Sequence, residues 1–202
     1  MTRVFSVSAL IFVHAIAFSS VAAAQERLEH PEAGIGITRP VAWHAATLAQ
    51  VQANRERVRL PDAGLQQALR TRSAMPLFVF TKYAEPHAGL NPSLQVTLRA
   101  ALPGTPTQLL STALETMRRA FADFEIVAPV RPVEVDGWPA AHVRAKYTLT
   151  NQAGERFGVQ SRLWLVPRGR LMFLIGMSGG QAGTDVCEDE FAAALASVTI
   201  QK

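Results

Sequence analysis

Residues 140–177 read AAHVRAKYTLTNQAGERFGVQSRLWLVPRGRLMFLIGM, and this segment contains three apolar runs separated by two turn sequences. The first run alternates apolar and polar residues with a period of two, which is typical of a half-buried strand. The last run is almost entirely apolar and predicts a central strand that is covered on both faces. The predicted strands are 140–149, 157–166 and 171–177. Because the turns between them are short, we expect an antiparallel meander.

Helices and further strands are predicted on both sides of this meander. Pro106 is suited to a first helical turn, and apolar residues recur from Leu109 to Phe121 at helical spacing. The other predicted helices are 44–57, 62–71 and a last helix that begins at Thr184. The other predicted strands are 34–40, 77–84, 94–101 and 133–135. The polar residues 25–34 predict little regular structure. The fold class is therefore α+β, with an antiparallel sheet packed against helices.

The first 24 residues have the layout of a secretory signal peptide. Arg3 is followed by the mostly apolar stretch 4–21, and three alanines then precede Gln25 as a small-residue cleavage site. This stretch is short for a spanning helix, and no later segment is long and apolar enough to span a bilayer. We expect export to the periplasm or the medium, cleavage after Ala24, and a single domain over 25–202.

Composition excludes several classes of protein. The chain has 202 residues, of which 49% are hydrophobic and 18% are charged, so it is neither disordered nor of low complexity. A single cysteine, Cys187, excludes an internal disulfide, and its acidic neighbours predict a buried, unreactive thiol. The net charge of +4 is not clustered in sequence, so no nucleic-acid partner is expected. The histidines are isolated, which predicts no obligate metal, and no cofactor motif occurs.

A candidate nucleophile lies at the end of the third predicted strand. Residues 176–180 read GMSGG and match the G-x-S-x-G sequence of many hydrolases. In that arrangement the acid and then the histidine follow the serine, and no histidine follows His142 here. A small secreted serine hydrolase using Ser178 is thus one alternative. The simpler interpretation is a glycine-rich loop where a central strand leaves the sheet.

Basic side chains share the polar sides of the predicted strands. The period of two places His142, Arg144 and Lys146 on one side of their strand. The full set of candidate binding residues is Lys82, Arg99, His142, Arg144, Lys146 and Arg162. If the strands adjoin in matching register, these residues form a basic surface that attracts a phosphate, a lipid headgroup or an acidic protein. The alternative is a solvated face whose charges keep the sheet soluble.

Acidic residues gather at the start of the last predicted helix. They are Asp185, Glu188, Asp189 and Glu190. Negative charge at this end of a helix compensates the helix dipole, and we expect this role. A calcium site is the alternative, but the ligand spacing of an EF-hand is absent.

Aromatic residues offer a third candidate function. One interpretation is a pocket for a small apolar ligand, with a floor formed by Trp138, Trp164 and the Phe-rich strand 77–81. Because aromatic residues dominate buried cores, the alternative is that the tryptophans anchor the core or its turns.

The order of these motifs resembles the PsbP-like superfamily. One matching motif is GITRPVAW at residues 36–43, an apolar strand followed by proline and tryptophan. The others are the amphipathic helix 106–122, VDGWPAA at 135–141 before a strand with Tyr147, the RGR turn at 168–170, the apolar strand 171–177 and a closing helix around Phe191. Together they span residues 34–200.

That fold is shared by an extrinsic subunit of photosystem II, a nuclear regulator of the Ran GTPase and many uncharacterised bacterial envelope proteins. The resemblance implies an α/β/α sandwich around an antiparallel sheet and a mostly non-enzymatic role in binding and assembly. It transfers no functional residue, because the partners of family members differ. We therefore predict an exported, non-enzymatic protein of the bacterial envelope that acts through its surface on an envelope protein or an anionic surface. A Ser178 hydrolase and a carrier of a small apolar ligand are the alternatives.

Overall fold

The structure is a computed structural model that describes residues 25–71, 75–121 and 123–202. The predicted signal peptide, 1–24, lies outside these residues. None of the helices in the described ranges combines the length and the apolar character that crossing a bilayer requires.

The described residues form strands and helices in the following order. The strands are β1 (Arg27–His30), β2 (Ile35–Thr38), β3 (His44–Ala45), β4 (Val58–Arg59), β5 (Pro76–Thr81), β6 (Ser93–Ala100), β7 (Glu125–Val135), β8 (Trp138–Asn151), β9 (Arg156–Arg168), β10 (Leu171–Gly180) and β11 (Thr199–Ile200). The helices are α1 (Leu48–Arg57), α2 (Ala63–Thr71), α3 (Pro106–Ala120) and α4 (Glu188–Ala196), and a 3₁₀ turn, Gly183–Val186, precedes α4.

The larger sheet is antiparallel and is centred on the predicted meander. Its strand order is β3-β5-β6-β10-β9-β8, and both β4 and β7 pair with β8 on the side away from β9. Val143 lies opposite Leu163, and Phe173 lies opposite Val166. The predicted antiparallel α+β class is therefore confirmed. Strand β7 is longer than the predicted 133–135, because register shifts let this proline-containing segment pair with β8.

Alternate residues of the central strands enter two separate cores. In one core, Leu114 of α3 packs with Val143 and Leu165. In the other, Phe191 of α4 packs with a set that includes Phe173. We call the corresponding sides of the sheet the α3 face and the α4 face, because successive side chains of a strand point to opposite sides.

The sequence signals at the start of α3 are all used. The Thr105 side chain accepts a hydrogen bond from the Gln108 backbone, the Gln108 side chain accepts one from the Thr105 backbone, and Pro106 occupies the first turn. This capping box satisfies backbone N–H groups that a helix start otherwise leaves without partners. The predicted helix beginning at 106 is confirmed.

The N-terminal segment is more regular than its polarity predicts. Strand β1 pairs with β2, and β2 pairs with β11, so the prediction of little regular structure for 25–34 is wrong. These three strands form a second sheet. Arg27 of β1 also bonds to the C-terminal segment, donating to the Ser197 carbonyl at 3.0 Å and to the Thr199 hydroxyl at 2.5 Å. An edge strand that faces water needs no apolar alternation, which is why the pattern did not reveal it.

Helix α1 begins later than predicted. His44 and Ala45 pair with β5 as a short strand, so the helix begins at Leu48 instead of residue 44. Thr47 and Gln50 form its capping box. The second predicted helix, 62–71, is confirmed as α2 within one residue.

Candidate anion-binding site

The antiparallel register brings three of the predicted residues together on the α4 face. Arg144 of β8 lies directly opposite Arg162 of β9, and His142 lies opposite Trp164. Residues two apart in a strand share a face, so these side chains project to the same side of the sheet. Like charges directly opposite one another destabilise a sheet, so the arginine pair requires a counter-charge.

Glu188, the first residue of α4, supplies that counter-charge. Arg144 Nη2 donates to Glu188 Oε1 at 2.8 Å, and Arg162 Nη2 is in ion-pair contact with the same oxygen. The Arg162 guanidinium also lies 5.2 Å from the centre of the Phe191 ring, which is a cation–π distance. We call Arg144, Arg162 and Glu188 the arginine cluster.

The arginine cluster is closed on one side and open to solvent on the other. The Arg162 side chain is 6% exposed, whereas those of Arg144 and Glu188 are 33% and 50% exposed. Burial lowers the pKa of Arg162, and the Glu188 carboxylate acts against that shift. Arg162 therefore forms a recessed floor, and Arg144 and Glu188 form an accessible rim.

Several buried nitrogen atoms at the cluster make no hydrogen bond with any described residue. They are Arg144 Nε, Arg162 Nη1, Arg162 Nη2 and His142 Nε2. Arg162 Nη2 is nonetheless in ion-pair contact with Glu188 Oε1, so the guanidinium N–H groups that have no acceptor among the described residues are those of Arg144 Nε and Arg162 Nη1. A buried donor without an acceptor costs on the order of 1–3 kcal/mol, so native folds contain few of them. A surplus of donors over acceptors is the chemistry of a site for an anion.

His142 contributes a ring and no charge at neutral pH. Its imidazole stacks on Trp164 with 4.5 Å between ring centres. Burial is the main cause that lowers its pKa to about 4, and the nearby guanidiniums of Arg131, Arg144 and Arg162 add to the shift. The expectation that His142 joins the basic surface as a cation is corrected, because its surroundings disfavour the protonated form.

The two predicted lysines lie beside the arginine cluster and pair with other carboxylates. Lys146 Nζ is 2.9 Å from a Glu125 oxygen on β7. Lys82 Nζ is 3.4 Å from a Glu190 oxygen on α4. The first turn of α4 therefore meets cations at two points, through Glu188 and through Glu190.

Arg99 lies apart from the other predicted residues. In β6, Leu94 and Val96 enter the core of the α4 face, so Arg99, at the other parity, lies on the α3 face. Its strand partner is Met172, which packs in the α3-face core. Burial, and then the charge of Arg99, lower the pKa of Arg55. The expectation of one surface containing all six residues is corrected, because the register separates Arg99 from the rest.

The sequence alone does not reveal Glu188 as a binding group of this site. The dipole interpretation gives it no partner, because Arg144 lies 44 positions away in the chain. One local signal was present, since Glu188 and Phe191 are three residues apart on a helix and therefore share a side. A carboxylate beside an aromatic ring is a suitable surface for a guanidinium group.

Ser178 lies inside a strand of the larger sheet, opposite Ser161. It lies within β10, which continues to Gly180, and not at a turn from strand to helix. Its hydroxyl donates to the Ser161 hydroxyl at 3.3 Å, close to the buried Tyr147. His142 projects to the α4 face and Ser178 to the α3 face, and no histidine contacts this hydroxyl in the part of the chain that the structure describes.

Gly179 lets the 3₁₀ turn before α4 pack directly on β10. A Cβ atom at Gly179 would overlap the Asp185 carbonyl oxygen, whereas one at Gly176 would meet no atom closer than 3.5 Å. We expect Gly179→Ala to lower the free energy of unfolding by about 2 kcal/mol, and Gly176→Ala to change it by less than about 0.5 kcal/mol. Chemical denaturation of both variants measures the difference, and equal effects would contradict this packing.

Two open depressions lie away from the arginine cluster. One, of about 450 Å³, is lined by residues 58–61 and their neighbours, and an adjoining one is about 280 Å³. Neither is lined by Trp138 or Trp164. Trp164 is buried in the α4-face core, and Trp138 Nε1 donates to the Ile200 carbonyl at 3.3 Å. Both tryptophans thus have the structural role that the sequence analysis gave as its alternative.

Cys187 is buried and has no disulfide partner. Burial raises the pKa of its thiol, and the nearby Lys82 opposes this shift without reversing it. Within the ranges that the structure describes, no three histidine, cysteine or acidic side chains are placed to hold a metal ion together.

No protein-family model matches the chain, and no curated protein matches its sequence significantly. Solved structures do match. Cyanobacterial PsbP from Synechocystis has a TM-score of 0.55 at 13% identity, covering 90% of this chain and 96% of that one. The Saccharomyces cerevisiae Ran-binding protein Mog1p has a TM-score of 0.50 at 10% identity, covering 88% and 95%. A Bacteroides thetaiotaomicron protein has a TM-score of 0.50 at 12% identity. The match covers 88% of this chain and 49% of that protein, so the chain spans about half of its length.

At 10–13% sequence identity, these structural similarities show a shared fold and nothing more. The chain is an α+β protein with an antiparallel sheet, and it has the PsbP-like fold that its motifs predict.

Proposed function

We propose that this chain is an exported, non-enzymatic binding or assembly protein, built as an α/β/α sandwich, that recognises an anionic partner through the arginine cluster. The observation that carries the proposal is the cross-strand pair of Arg144 and Arg162, whose N–H groups outnumber the acceptors offered to them. A partner that supplies acceptors here gains charge-assisted hydrogen bonds, which are stronger than neutral ones.

The exposure of two cations at the cluster favours the same kind of partner. Four cations pair with three carboxylates here, and Asp189 in the first turn of α4 adds a fourth negative charge. The cations are Lys82, Arg144, Lys146 and Arg162, and the carboxylates are Glu125, Glu188 and Glu190. Arg144 and Lys146 are the accessible cations, with side chains 33% and 42% exposed. An approaching anion therefore meets these two accessible cations before it reaches the buried guanidinium of Arg162.

Two further considerations support the proposal. Residues 1–24 have the layout of an export signal, which is the basis for placing the protein in the envelope. A Ran-binding protein has the same fold, so a protein-binding role is compatible with it. A hydrolase using Ser178 is not proposed, because the hydroxyl of this serine contacts other hydroxyls.

The test measures the binding of an oligoglutamate peptide at low ionic strength by fluorescence anisotropy. We expect the variant Arg144→Gln/Lys146→Gln to bind about tenfold more weakly, because two accessible charges contribute about 0.7 kcal/mol each. The matched control is Arg118→Gln/Arg119→Gln on α3, which removes the same charge and should lower affinity less than about twofold. Equal losses in the two variants, or no binding by the wild type, would contradict the proposal.

A further inference from the structure

We infer that Glu188 is an internal occupant of a carboxylate-binding site, and that an acidic segment of a protein partner binds by taking its place. This inference rests on the proposed function and names the partner's chemistry. The juxtaposition that carries it is one carboxylate oxygen shared by two guanidiniums that still have unpartnered N–H groups.

The geometry shows that Glu188 satisfies the cluster only in part. Its Oε1 atom contacts both Arg144 and Arg162, yet Arg162 Nη1 and Arg144 Nε have no hydrogen-bond acceptor among the described residues. A side chain fixed to the first turn of α4 approaches the arginines from one direction. A carboxylate on a separate chain is free to align both oxygens with the fork of a guanidinium, which is the stronger arrangement.

Glu188 is also placed to leave without unfolding α4. Its side chain is 50% exposed, so rotation into water is open to it. The helix itself is held by Phe191, which is 1% exposed and contacts Trp43 edge-to-face with 5.7 Å between ring centres. Exchange of one carboxylate for another therefore needs a side-chain movement and no movement of the helix.

The surroundings favour an acidic peptide over an anionic membrane. The floor of the site, Arg162, is recessed, and the first turn of α4 presents Asp189 and Glu190 beside Glu188. A flat anionic surface meets these acidic residues before it reaches the arginines and is repelled. A single glutamate or aspartate side chain brings one negative charge to the cluster and needs only the access at Arg144, whose side chain is 33% exposed.

The substitution Glu188→Gln tests this inference in the oligoglutamate assay. Removing the internal competitor should raise affinity about fivefold, the gain expected if Glu188 occupies the site about four-fifths of the time. The matched control is Glu115→Gln, which removes one exposed carboxylate that pairs with Arg118 on α3. Both variants gain the same net charge, and the control should change affinity less than about twofold.

A double variant and a vesicle assay complete the test. Arg144→Gln/Glu188→Gln should lose the gain, because the incoming carboxylate meets Arg144 first. Equal affinities for Glu188→Gln and Glu115→Gln overturn the inference, as does a gain with anionic phospholipid vesicles that equals the gain with peptide. If circular dichroism shows that Glu188→Gln does not fold, Glu188→Asp takes its place, and its shorter side chain should give a smaller gain in the same direction.

The two proposals fail separately. Weaker binding by Arg144→Gln/Lys146→Gln without a gain in Glu188→Gln supports the proposed function and overturns the internal occupant. Binding by Glu188→Gln when the wild type does not bind supports the internal occupant and contradicts the function proposed for the wild-type chain.

Discussion

Replacing Phe191 with alanine is expected to lower the free energy of unfolding by about 4 kcal/mol, as in other truncations of buried aromatic residues. The side chain is 1% exposed and packs against Trp43 on one side. On another side it lies 5.2 Å from the Arg162 guanidinium. Its loss leaves a cavity between α4 and the sheet and removes the ring that partly compensates a buried charge. Urea denaturation followed by tryptophan fluorescence measures the change.

Two further variants separate the causes of this effect. Phe191→Leu keeps most of the buried volume and removes the ring, so its cost of about 1.5 kcal/mol reports the aromatic contacts. Leu48→Ala truncates an apolar side chain that is 63% exposed, and we expect a change below about 0.5 kcal/mol. If Phe191→Ala costs no more than Leu48→Ala, α4 does not pack on the sheet through this residue.

Stability is expected to decrease as the pH falls from about 6.5 to about 4. The folded state holds the pKa of His142 at about 4, whereas the unfolded chain has the ordinary value of 6.5. Between these values the unfolded state binds the proton first, so acid favours unfolding. The contribution is fully present above the unfolded pKa and disappears as the pH falls through the folded one. Its size is about 3 kcal/mol.

The variant His142→Phe isolates this contribution. A phenyl ring keeps the stack on Trp164 and cannot titrate, while the carboxylates that also titrate in acid remain in both proteins. Free energies of unfolding at pH 7 and pH 4 should therefore differ by about 3 kcal/mol less in the variant than in the wild type. The same pH dependence in both proteins would show that His142 is not buried beside these arginines.

The central strands were predictable because their pattern is local. The alternation in 140–149 and the apolar run in 171–177 define two strands whatever surrounds them. Their ends were less predictable: β8 extends to Asn151 and β10 to Gly180. Backbone pairing continues there after the apolar pattern has ended, and pairing depends on the neighbouring strand.

The candidate site was only partly predictable, since its groups meet through distant contacts. The period of two placed Arg144 and Lys146 on one side of β8, but it did not show that α4 covers that side. The partnership of Arg144 with Glu188 joins residues 44 positions apart. The lowered pKa of His142 likewise comes from burial and from charges on neighbouring strands. The sequence does not predict that Arg99 lies on the face opposite to Arg144 and Arg162. The face on which a β6 side chain lies relative to those of β8 and β9 depends on how the strands pair.

One titration series with a single oligoglutamate peptide examines whether the arginine cluster is a carboxylate site. At low ionic strength, Glu188→Gln should bind most tightly, the wild type less tightly and Arg144→Gln/Lys146→Gln most weakly. That order requires Arg144 to attract the peptide and Glu188 to compete with it. Equal affinities for all three proteins would contradict a carboxylate site at the arginine cluster.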